Sequence, residues 1–282
     1  MNCISFKNVS YKYPYMEGFA LQELNYAFET GKCYGIIGAN GSGKTTFCNL
    51  LRGMIPHFFE GDLTGEVLIE GNDLRNWDSN LLSTKIGYIF QNPFTQISGI
   101  KDTVFEEIAL GLENLGVEKE ALIDRVIEVV KLLKLEQLIK KNPNNLSGGQ
   151  KQRVVFASII AMNNDILVID EPTSQLDPES SAEIFSIINL LKEQGKTIFL
   201  VEHKVDLIAE YSDEVIVLKD GHIALSGSAL DVLSNIDFLQ MGVMLPQAAL
   251  LSYDMQKAIR AFDSIAITKS QVIGQIKQRV GV

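Results

Sequence analysis

The stretch Cys33–Thr46, CYGIIGANGSGKTT, constrains this chain more than any other. Its apolar run ends in glycine and reads as a short strand buried on both faces, the environment of a central strand in a parallel sheet. The octet Gly38-Ala39-Asn40-Gly41-Ser42-Gly43-Lys44-Thr45 then fits G-x-x-x-x-G-K-[ST], and Thr45–Arg52 reads as a helix, so the pattern sits in the strand–turn–helix context it requires. Glycines at 38, 41 and 43 let the backbone wrap until successive N–H groups point at phosphate oxygens, and the helix start adds its dipole. Lys44 brings a positive charge to β- and γ-phosphates, and the Thr45 hydroxyl is a natural Mg²⁺ ligand. Ala39, Asn40, Ser42 and Thr46 complete the candidate cradle. A glycine-rich turn met by chance would lack the flanking strand and helix.

The rest of the chain supplies a fold for that loop. Leu24, Tyr26 and Phe28 alternate with other residues, as do Val67 and Ile69, the period of half-buried antiparallel strands, and the first 90 residues read as strands with turns. After Pro93 the pattern turns helical over 103–140, with Ile123, Val126, Ile127, Val130 and Leu133 expected on one face. A further helix is expected over 151–162. The runs 165–170, 197–203 and 214–221 read as strands, with a helix over 179–194 between the first two, and this alternation predicts an α/β fold with a parallel sheet. From about 228 the pattern is helical with an interruption at Pro246. The 282 residues hold 35 Asp and Glu against 25 Lys and Arg, a net charge of −10 that argues against nucleic acid as a partner. Three cysteines, an odd number without metal-ligand spacing, fit a reducing compartment and are expected as small buried fillers. The first residues carry no signal-peptide pattern, and the longest apolar run, 154–162, falls far short of the roughly 20 residues that span a bilayer. His57 and His222 are expected at the surface rather than as ligands.

Further motifs fall in order along the chain. Leu146-Ser147-Gly148-Gly149-Gln150 opens a predicted helix, where Ser147 can cap and the two glycines leave N–H groups open to an anion. An ordinary cap would not need two glycines followed by glutamine. The strand 166–170 ends in Asp170, which can hold Mg²⁺ through water, and Glu171 follows directly. With these residues the chain resembles the nucleotide-binding subunit of an ATP-binding cassette (ABC) transporter over about residues 1–225. Walker A is 38–45, the signature 146–150 and Walker B with its following glutamate 166–171. Gln91 falls at the Q-loop, Ser174–Asp177 at the D-loop and His203 at the switch position, and Tyr13 sits where the family stacks an aromatic ring on adenine, with Tyr11 as a weaker alternative. Gln175 replaces the usual D-loop alanine, which implies altered contacts between subunits rather than lost activity.

The resemblance implies a P-loop ABC ATPase fold. A central, mostly parallel sheet would be joined by an N-terminal antiparallel β subdomain, a helical subdomain at about 92–162 within a cassette of 1–227, and a helical extension over 228–282. It implies two cassettes packed head to tail around two ATP molecules. Lys44, Thr45, Gln91, Asp170, Glu171 and His203 would serve from one subunit, and Ser147, Gly148, Gly149 and Gln150 from its partner, with Asp177 of the D-loop also among the nucleotide-binding residues. Glu171, His203 and Gln91 would be catalytic, and Thr45, Gln91 and Asp170 would hold Mg²⁺. The segment 90–117, with Phe90–Pro93, Gln96 and Val104–Gly111, is similar to the ATPase subunits of energy-coupling factor transporters, as is 238–255 with Pro246-Gln247. That likeness implies a second ATPase subunit (the same chain or a paralogue), a transmembrane scaffold, a membrane substrate-binding subunit and a place on the cytoplasmic face of the membrane. The cargo would be a vitamin or a nickel or cobalt ion. An ATPase of another ABC transporter class, or one acting on DNA or the ribosome, would share the same motifs.

Overall fold

A computed structural model of the chain describes residues 2–241, 244–259 and 264–280. The chain divides into two compact units, one of residues 1–75 with 199–282 and the other of residues 76–198. The first begins with β1 (Asn2–Lys12), β2 (Leu21–Glu29), β3 (Cys33–Ile37), α1 (Lys44–Leu51), α2 (Met54–His57), β4 (Asp62–Ile69) and β5 (Asn72–Asp73). The second holds α3 (Ser79–Lys85), β6 (Ile86–Ile89), α4 (Val104–Asn114), α5 (Lys119–Leu132), α6 (Gly148–Ala161), β7 (Ile166–Asp170) and α7 (Pro178–Glu193). Strand β8 (Thr197–Val201) carries the boundary, and α8 (Val205–Tyr211), β9 (Glu214–Lys219), β10 (His222–Ser228), α9 (Ala229–Leu233), α10 (Gln247–Ile259) and α11 (Lys269–Val280) complete the first unit.

In the first unit β2-β1-β4-β5 form an antiparallel sheet. A second sheet runs β10-β9-β3-β8, with β3 parallel to β9 and β10 antiparallel to it. Phe28, fully buried on β2, is the hub between them. Its ring lies 5.5 Å from Phe6, 5.1 Å from Tyr34 on β3, 6.2 Å from Phe47 on α1 and 4.9 Å from Phe199 on β8, all edge-on. Edge-to-face pairs at these distances are favourable beyond the area they bury. The cluster fixes α1, and so the loop before it, against both sheets. Cys3, Cys33 and Cys48 are buried, as their small apolar character predicts.

In the second unit β6 pairs in parallel with β7, and α4 packs on α5 and α6. The helical pattern expected over 103–140 resolves into two helices, because Gly116 takes a left-handed φ of 70° and the N–H of Val117 returns to the Leu112 carbonyl, closing α4. The buried stripe of α5 is Leu122, Val126, Val129 and Val130 with Leu133 beyond it, while Ile127 is exposed and Ile123 half-buried. Val126, Val130 and Leu133 are buried as expected, and Leu122 and Val129 take the places expected for Ile123 and Ile127. The first 90 residues also hold more than strands and turns: α3 starts where Asp78 accepts the N–H groups of Asn80 and Leu81.

Helix α4 begins with a capping box. The Thr103 hydroxyl accepts the Glu106 N–H, and the Glu106 carboxylate accepts the Thr103 N–H at 2.9 Å and its hydroxyl at 2.8 Å. These bonds hold the Glu106 carboxyl below its ordinary range. Thr103→Ala removes the cap and is expected to lower unfolding stability by about 1 kcal/mol. Urea titration should show an earlier midpoint with an unchanged slope.

Candidate active site

The phosphate loop is built within the first unit. Lys44, buried at the start of α1, donates to the carbonyls of Gly38 at 2.8 Å and Ala39 at 3.0 Å, so the loop folds around its own cation. Gly41 and Gly43 take φ of 81° and 104°, and a Cβ on Gly43 would come within 2.8 Å of the Ala20 carbonyl oxygen. A side chain at 43 is thus excluded by conformation and by space. The Ser42 hydroxyl is buried without a partner among the described residues, an orphan that an anion in the loop would satisfy. Thr45 is exposed and Thr46 buried.

The two tyrosines considered for adenine part company. Tyr11 is fully buried and its hydroxyl donates to the Glu60 carbonyl at 2.9 Å, with burial pushing its pKa up to about 12. Tyr13 is half-buried, and its hydroxyl lies 3.3 Å from Thr46 Oγ1. Its ring meets Tyr11 at 4.8 Å and Phe59 at 6.2 Å. In the same unit His203 is exposed and shares a cavity of about 290 Å³ with Gly38, Ala39 and Asn40. Buried Glu202 accepts the N–H groups of His203 and Lys204, which pins that turn from below.

The carboxylates belong to the second unit. Asp170 ends β7, and one of its oxygens accepts the Tyr88 hydroxyl at 2.9 Å. Glu171 follows at φ 46°, a left-handed conformation uncommon outside glycine. Its carboxylate accepts the Gln91 side-chain N–H at 2.6 Å, so two residues 80 apart in sequence meet. Gln96 braces the turn that presents Gln91. It accepts the Phe90 N–H at 2.9 Å and donates to the Tyr88 carbonyl at 2.8 Å. Tyr88 is not readable from spacing, because its bond to Asp170 depends on how β6 is held beside β7.

Ser147 caps α6. Its hydroxyl accepts the Gln150 N–H and the Gln150 side chain accepts the Ser147 N–H at 3.1 Å. The two signature glycines have different causes. A Cβ on Gly149 would lie 2.5 Å from Ser180 Oγ, whereas one on Gly148 meets nothing closer than 4.0 Å. Gly149 is therefore needed by packing, and Gly148 is not. Asp177 caps α7 by accepting from the Ser180 N–H and hydroxyl, which hold its carboxyl below the usual range. The Thr45 hydroxyl, the Asp170 carboxylate and the Gln91 amide oxygen are hard oxygen donors, the kind that Mg²⁺ takes. Among the described residues no group of three or more His, Cys, Asp or Glu is placed to hold a metal by itself.

The ABC transporter family model matches residues 21–174, from β2 through the Walker B strand to Ser174. The chain belongs to the ABC transporter ATPase family. It is similar over nearly its whole length to the energy-coupling factor transporter ATP-binding protein EcfA2 of Streptococcus thermophilus, with 37% identity covering 96% of this chain and 97% of that one. The solved structure of cbiO1 from Clostridium perfringens, part of the ABC transporter complex cbiONQ, superposes with a TM-score of 0.74 at 25% identity, covering 92% of this chain and 96% of that one. The dimeric ATP-binding cassette MJ0796, bound to ADP and Pi, superposes with a TM-score of 0.69 at 30% identity over 80% of this chain and 98% of that one. As an ABC ATPase the chain binds and hydrolyses ATP.

Proposed function

We propose that this ABC ATPase powers an energy-coupling factor type importer, driving uptake of a vitamin or a transition-metal ion from the cytoplasmic face of the membrane. The observation that carries the reading is the reach of the EcfA2 similarity, which covers 96% of the chain and so extends into the C-terminal helices. Residues 1–227 serve as the cassette, 92–162 as its helical subdomain and 228–282 as the extension. No helix among the described residues is long and apolar enough to cross a membrane, so the membrane work falls to a scaffold subunit and a substrate-binding subunit.

The residue roles are those that membership of the ABC ATPase family implies. Tyr13 stacks on the adenine, the N–H groups from Gly38 to Thr46 surround the phosphates, and Lys44 trades its loop carbonyls for β- and γ-oxygens. Thr45, Gln91 and Asp170 would hold Mg²⁺, which would screen phosphate charge. Glu171 takes a proton from, or orients, the attacking water, and its bond to Gln91 positions it. His203 holds the γ-phosphate and water in line. Ser147, the N–H groups of Gly148 and Gly149, and Gln150 meet the γ-phosphate of a second cassette, so that closure needs ATP and hydrolysis releases it. Asp177 lies at that contact. Co-purification tests the transporter reading: the tagged chain drawn from a detergent extract is expected to bring down small integral membrane proteins. Recovery of the ATPase without any would overturn it.

A further inference from the structure

We infer that the segment leading into the last two helices positions the turn that carries His203, acting through Asp206 and Met244. The inference rests on the reading of His203 given above. Three observations within the first unit support it. Asp206, three residues beyond His203 in the first turn of α8, accepts the Gln247 N–H at 2.8 Å. Gln247 opens α10, where the first N–H groups have no partner inside the helix. The C-terminal helices are thus fastened, at their start, to the helix that follows the histidine. Leu245 and Pro246, just before that fastening, are both buried, which fixes how the segment approaches. Met244 comes next on the outer side, and although 71% exposed it lines the same cavity as Gly38, Asn40, His203 and Val205.

The consequence is geometric. The His203 turn is held by Glu202, and Asp206, three residues further on, ties the helix that follows it to the start of α10. Met244 bounds the space beside the phosphate loop with a flexible, polarisable side chain that conforms to its neighbours. Asp206 and Met244 touch no reacting atom in this scheme. They are positioning residues, and they place the extension in direct mechanical connection with the hydrolytic turn.

The test uses the full chain, with steady-state ATP hydrolysis and hydrogen exchange of the amides of 202–205 measured side by side. Asp206→Ala is expected to lower kcat about fivefold with KM changed less than about twofold, the scale of one ordinary hydrogen bond, and to speed exchange in the turn. Asp206→Asn keeps an acceptor oxygen and is expected to restore both readouts. Met244→Ala should lower kcat in the same sense, and Met244→Leu should recover it. The inference is overturned if Asp206→Ala leaves either readout unmoved, if Asp206→Asn is as slow as Asp206→Ala, or if Met244→Ala turns over normally. His203→Ala separates the two levels. Normal turnover in that variant removes the reading of His203, whereas slow turnover beside a wild-type Asp206→Ala removes only this inference.

Discussion

Glu171→Gln is expected to bind ATP as tightly as the parent chain and to turn it over at least ~100-fold more slowly, the lower end of what a positioned general base contributes. The substitution is nearly isosteric. It leaves Gln91 a side-chain oxygen to meet at this position, in place of the carboxylate oxygen now 2.6 Å from Gln91 Nε2. Loss of turnover would therefore report basicity rather than collapse of the turn. Single-turnover hydrolysis with labelled ATP, alongside equilibrium nucleotide binding, checks it. Near-normal turnover would remove Glu171 from the chemistry and leave Gln91–Glu171 as a structural bond.

Ser147→Arg should abolish ATP-dependent pairing of cassettes while leaving ATP affinity of the single chain within about twofold, since in this reading Ser147 acts on the nucleotide of a second subunit. Light scattering of the Glu171→Gln background with and without ATP checks the first half, and nucleotide titration the second. The arginine also removes the cap of α6, at a cost of about 1 kcal/mol. Ser147→Gly is the control, because glycine is tolerated at a cap with only a few tenths lost. A Ser147→Arg chain that still pairs on adding ATP would place the signature outside the subunit contact.

Local patterns made much of the fold legible. The phosphate loop is one contiguous segment, with glycines at 38, 41 and 43, whose backbone geometry the sequence must encode residue by residue, and β3, β7, β8 and β9 are short apolar runs with sharp ends. What escaped depends on partners. Helix α5 carries apolar residues at 122, 123, 126, 127, 129 and 130, enough for two competing stripes, and only packing against the neighbouring helices selects Leu122 and Val129 over Ile123 and Ile127. The break after α4 was readable in principle, since Gly116 has the left-handed backbone that ends helices. The packing demand for glycine at 149 was not, because it comes from Ser180 at the start of α7. The same holds for Tyr88, whose bond to Asp170 exists only once β6 and β7 are in register.

The ring cluster around Phe28 has a consequence for synthesis. Its members come from residues 6, 28, 34, 47 and 199, so the bed beneath α1 is completed only by a strand formed late in the chain. A contact spanning so much sequence closes slowly and late. A ribosome-bound chain that has released its phosphate loop but not yet Phe199 carries the glycines and the lysine without the floor that holds them. Nucleotide affinity is therefore expected to arrive after most of the polypeptide has been made, and the growing chain carries an unfinished aromatic face until then.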